Sequence, residues 1–96
     1  MKFIQIIEFS TSRIEEIDVL EQKWLKESEG RRTLLRQLKA RDRDDTNSYV
    51  LIVEFASHED ALRNNELPET QEIAAQMAKL AVGEMKFRNL DVLDEH

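Results

Sequence analysis

The chain has no cysteine, so disulfides, thiolate nucleophiles and cysteine-bound metals are excluded. Histidine occurs twice, at His58 and His96, and two histidines alone build no zinc site. No apolar run exceeds a few residues, so no segment spans a membrane as a helix. The opening segment, MKFIQIIE, is too short and too polar for a secretory signal, and a cytoplasmic protein is expected. Base is also in deficit. Fourteen Lys and Arg stand against 20 Asp and Glu, and a net charge of −6 argues against nucleic acid as a partner. Finally, the sequence has no phosphate loop, dinucleotide fingerprint, nucleophile elbow or metal-ligand cluster.

What is present suits one small domain. Hydrophobic residues make up 41% of 96 positions and charged residues 35%, the balance of a globular chain rather than a disordered one. A domain this small buries only about two-thirds of the surface its unfolded chain exposes, so it gains stability from a partner.

Residues 2–10, KFIQIIEFS, are rich in Ile and Phe and predict a strand. Phe3, Gln5, Ile7 and Phe9 share one face, Ile4, Ile6 and Glu8 the other. Both faces are mainly apolar, which places the strand centrally. Ser12 followed by Glu15 reads as a capping box, and Ile14, Ile17, Leu20, Trp24 and Ser28 form one stripe, so a helix is expected over 12–29 with Gly30 as its stop. Residues 32–42 suit helix by composition. They are read as a strand because a polar turn (residues 43–48) and an evident strand, Tyr49 to Phe55, follow them. Residues 31–43 hold six bases and one acid, which fits a charge-protected edge strand better than an anion-binding rim.

Ser57 opens a second helical segment, broken at Asn64 to Leu67 because Leu67 precedes Pro68. Pro68 suits the first turn of a further helix, whose buried face is Ile73, Met77, Leu80 and Ala81. Gly83 ends it, and Met85 to Leu93 reads as the last strand. The order is βαββαβ, an α+β ferredoxin-like plan: a four-stranded antiparallel sheet with its helices on one face. The uncovered face would carry Ile4, Ile6, Val50, Ile52, Leu90 and Val92, and a homodimer packed sheet to sheet would bury them.

These features resemble the dimeric α+β-barrel proteins of the antibiotic-biosynthesis-monooxygenase-like superfamily, most closely small actinobacterial members with no assigned activity. The resemblance rests on Ile6 to Ser10, Glu29-Gly30-Arg31-Arg32, Arg41-Asp42-Arg43-Asp44 and Tyr49 to Ser57. It continues through Asn64, Leu67-Pro68-Glu69-Thr70 and Phe87-Arg88-Asn89-Leu90-Asp91-Val92, covering nearly the whole chain. It implies a ligand cavity between each sheet and its own helices. It also implies either a cofactor-independent monooxygenase acting on an aromatic or polyketide-like compound, or a non-catalytic ligand-binding or stress-related homodimer. The haem-degrading branch would need an Asn at the position where Ile7 stands, and Trp24 lies on the first helix, so no haem or other cofactor is expected.

The expected ligand-binding residues are Gln5, Trp24, Tyr49, Phe55 and Met77. Gln5 is a polar group in an apolar row and must find a partner. Trp24 offers a stacking wall, although packing is its commoner role. Tyr49 and His58 are the catalytic candidates: a phenol at a strand start, and an imidazole kept neutral by the N-terminal end of a helix. Asn64 and Asn65, beside the helix break, could close a pocket mouth, although turn formation is their commoner role. A bare interaction module would instead fill this space with side chains.

Overall fold

The computed structural model describes residues 1–96. Its elements are β1 (Phe3–Ser10), α1 (Ile14–Glu27), β2 (Leu34–Arg41), β3 (Ser48–Phe55), α2 (His58–Glu66), α3 (Pro68–Leu80) and β4 (Lys86–Asp91). The strands form one antiparallel sheet in the order β2-β3-β1-β4. The central place of β1 follows from its two apolar faces, since it pairs with β3 on one side and β4 on the other. β2 lies at an edge, with a register irregularity between Leu34 and Arg36. Bases of this region find acids within the chain: Arg31 pairs with Glu69, Arg36 with Glu54, and Lys39 with Asp18 and Glu21.

α1 starts later than Ser12 predicts. Ser12 is exposed and the helix has no side-chain cap. The hydroxyl bonded at this corner belongs to the neighbour, Thr11, which accepts from the Arg13 N–H at 3.0 Å and donates to the Leu80 carbonyl at 2.8 Å. Thr11 is almost fully buried, so it ties the β1–α1 corner to the end of α3. At the second corner Ser57 does cap its helix, accepting from the Asp60 N–H at 3.1 Å. Leu67 is extended and Pro68 opens α3. Gly30 and Gly83 both take left-handed backbone, φ 78° and 76°, where the chain leaves a helix and turns.

The core is in two pieces. Phe9, Ile17, Tyr49, Leu51 and Met77 form one buried cluster. Phe3, Val53, Phe55 and Ala61 form the other. Along β1 the row between Phe3 and Phe9 consists of Gln5 and Ile7, both half-buried. The opposite face of the sheet carries Ile4, Ile6, Val50, Ile52 and Leu90, half-buried, with Leu38 exposed.

Candidate functional site

A cavity of about 270 Å³ lies between the sheet and the helices, where the two core clusters part. Gln5 and Ile7 of β1 and Leu51, Val53 and Phe55 of β3 form its floor. Leu34 and Gln37 of β2 and Phe87 of β4 extend that floor to the sheet edges. Glu21 and Trp24 of α1, Asn64 and Asn65 of α2, and Thr70, Ile73 and Met77 of α3 roof it. Two amides in the helix-facing rows, Gln5 and Gln37, line the space, and residues on either side of the break between α2 and α3 at Leu67 border it.

The polar walls are tied together by hydrogen bonds. The Trp24 indole N–H donates to the Thr70 hydroxyl at 2.9 Å, which locks α1 to α3 and fixes the indole plane. The Arg32 guanidinium lies 5.8 Å from the centre of that ring. The Gln5 amide donates to its cross-strand neighbour Asn89 at 3.3 Å. Asn64 is buried, and its carbonyl oxygen accepts from the Thr33 N–H at 3.3 Å. Glu21 accepts from the Gln37 amide at 3.1 Å and from Lys39 at 2.6 Å. Lys39 also donates to Asp18. Burial alone pulls the Lys39 ammonium toward neutrality. The hydrogen bonds and charges of Asp18 and Glu21 outweigh that pull and hold its pKa above the ordinary 10.5.

Of the residues expected to bind a ligand, Gln5, Trp24, Phe55 and Met77 line the cavity. Tyr49 does not. Its ring stacks on Phe9 at 5.7 Å, with the Arg41 guanidinium 5.5 Å from its centre, at the end of the sheet beyond Leu51. His58 is also outside: it is exposed at the start of α2 and packs on Phe3 at 4.9 Å. Strand alternation put Tyr49 on the correct face but carries no information about position along that face. Asn64 and Asn65 both reach the cavity. Glu21, Gln37 and Thr70 were missed. Gln37 breaks an apolar strand row as Gln5 does and was detectable in principle, whereas Glu21 looks like any other exposed helix acid. No group of three His, Cys, Asp or Glu side chains is placed to hold a metal ion, and no helix is long and apolar enough to cross a membrane.

No family model matches the sequence, and no curated protein matches it. Solved structures do match the fold. SnoaB, a cofactor-independent oxygenase from Streptomyces nogalater, aligns with a TM-score of 0.81 over 98% of this chain and 95% of its own, at 17% identity. Rv0793 from Mycobacterium tuberculosis aligns at 0.81 over 99% and 98%, at 15% identity. An antibiotic biosynthesis monooxygenase aligns at 0.73 over 98% and 100%, at 13% identity. At such identities the likeness is one of fold.

Proposed function

From the antibiotic-biosynthesis-monooxygenase-like fold and its cavity, we propose that this chain, as a homodimer, takes up a small hydroxylated aromatic compound and oxygenates it without a cofactor. The observation that carries the reading is the cavity itself: an apolar space of about 270 Å³, walled by Trp24, Phe55 and Phe87 and edged by carboxamides. It lies just below the range of drug-sized pockets, which suits about two or three fused rings. A bare interaction module would leave less than a water's worth of space here. That SnoaB shares the fold and is a cofactor-independent oxygenase supports the chemistry.

The proposed reaction needs little from the protein. An electron-rich ring carrying a methylene group loses a proton, and the resulting anion reduces dioxygen. One oxygen atom becomes the new carbonyl, and the other leaves as water with the two methylene hydrogens. Glu21 is the single ionisable side chain lining the cavity, and it takes the first proton. The trio of Asp18, Glu21 and Lys39 carries one net negative charge, which that proton neutralises.

The absence of any His, Tyr, Cys or Lys from the cavity wall favours a second reading, a non-catalytic ligand-binding or stress-related homodimer. Oxygen uptake separates the two. With a hydroxylated anthrone as substrate, the enzyme reading expects oxygen consumption with quinone formation. It also expects that turnover survives Tyr49→Phe and His58→Ala but not Trp24→Ala. Binding of the compound with no oxygen consumption selects the second reading. Turnover lost in Tyr49→Phe or His58→Ala places the chemistry elsewhere.

A further inference from the structure

We infer that Glu21, clamped by Lys39 and Gln37, is the specificity-determining residue of the cavity: it admits hydroxyl donors and turns away organic anions. The inference rests on the cavity being the ligand site and goes beyond that reading by assigning its charge selection to one residue.

Three observations lead there. First, Glu21 is the only charged side chain in the cavity wall, and no Lys or Arg faces the space. An anionic ligand would therefore find carboxamides and a carboxylate but no cation to neutralise it. Second, Glu21 is held in place rather than mobile. One carboxylate oxygen accepts from Gln37 and the other from Lys39, and the side chain is only 12% exposed. Each oxygen keeps a further lone pair, so the group can still accept from a ligand hydroxyl. Third, the compensation is incomplete. Lys39 is shared with Asp18, so two carboxylates meet one ammonium at this wall. Lys39 does not itself line the cavity, so its charge softens the carboxylate field without offering an anion a partner. In a site of reduced dielectric, a like charge a few ångströms away is repelled more strongly than in bulk water, enough to sort ligands of equal shape.

Isothermal titration of naphthol and naphthoate at neutral pH tests this. The two share a ring system and differ in a neutral hydroxyl against a carboxylate. Naphthol should bind the native protein at least about tenfold more tightly than naphthoate, the factor that about 1.4 kcal/mol gives. Glu21→Gln keeps the shape and the link to Lys39 while removing the charge, so it should close the gap by improving naphthoate. Lys39→Gln removes the compensating ammonium, so it should widen the gap. Opposite movements of the two variants are the signature, because a merely structural role would weaken both ligands together in both variants. Equal binding of the two compounds to the native protein overturns the inference and leaves the ligand site standing, as does a parallel loss in both variants. Failure of both compounds to bind the native protein overturns the ligand-site reading itself.

Discussion

Thr11 and Ser12 show how finely a helix start is decided. Both are hydroxyl residues at the β1–α1 corner, and Ser12 has the better motif because Glu15 follows it by three. The buried residue is Thr11, at 1% exposure, with its hydroxyl in two hydrogen bonds and its backbone N–H donating to the Asn47 carbonyl at 2.9 Å. A local motif competes only for local donors, whereas Thr11 also satisfies a carbonyl at the distant end of α3. Thr11→Val keeps the shape and leaves the Leu80 carbonyl and the Arg13 N–H without this partner. It should cost about 1–3 kcal/mol, while Ser12→Ala should stay within about 0.5 kcal/mol. Urea unfolding of both variants checks the contrast, and equal losses would restore Ser12 as the cap. Trp24 is a second instance. Its place on an apolar helix stripe made packing the better reading, and it is buried. Its indole N–H to Thr70 adds an inter-helix tie that no periodicity reveals.

Among the elements, β2 was the hardest to read and is the most informative. Its composition suits a helix, and only the turn and strand after it point to a hairpin. The structure explains its sequence: an edge strand needs little apolar surface, and its helix-facing row (Gln37, Lys39, Arg41) meets α1 acids and the Tyr49 ring instead. The Lys39 cluster ties β2 to α1, and it gives this contact a pH signature. Because the folded state raises the Lys39 pKa, the ammonium stabilises the fold fully below 10.5. That contribution disappears as pH rises through the raised value. Native protein should therefore lose stability relative to Lys39→Met in that alkaline window, with a constant difference between neutral pH and about 10. Thermal unfolding of the pair from neutral to alkaline pH measures it, and a difference that shrinks well below 10.5 would contradict the assignment. The break between α2 and α3 was legible because Pro68 forbids helical backbone at Leu67. That a cavity lies beside the break was not legible, since the helices' distance from the sheet depends on every side chain between them.

For the molecule, the uncovered sheet face is the main apolar surface that the chain leaves open. Ile4, Ile6, Val50, Ile52 and Leu90 are half-buried only by their neighbours on the same face, and all three helices pack on the other side. The polar residues of this face, the Arg36–Glu54 pair among them, lie toward its margins. In the homodimer proposed above, a second copy would cover it with the same apolar face through a two-fold axis. Sedimentation equilibrium at micromolar concentration should give a mass near twice 11.3 kDa, and Ile6→Lys with Ile52→Lys should shift it toward the monomer. A native mass near 11.3 kDa would overturn the dimer. Residues 1–48 carry ten bases and ten acids, and the excess of acid lies wholly in residues 49–96, where Glu69 and Glu54 pair with Arg31 and Arg36 of the basic stretch around β2.

Strand alternation and helix periodicity are properties of neighbouring residues, so they can be read before folding. They sufficed for the βαββαβ order, the two-faced β1, the Ser57 cap and the break before Pro68. The absence of cysteine likewise excluded disulfide and thiolate chemistry without any coordinates. The candidate site depends on different information. Whether Tyr49 and His58 reach the cavity, and whether Glu21 does, depends on how far along each element the packing gap falls. That gap lies where the two core clusters separate, and it is set by side chains from four strands and three helices acting together. No local pattern encodes such a sum, which is why the fold could be read from the chain while the wall of the cavity had to be seen assembled.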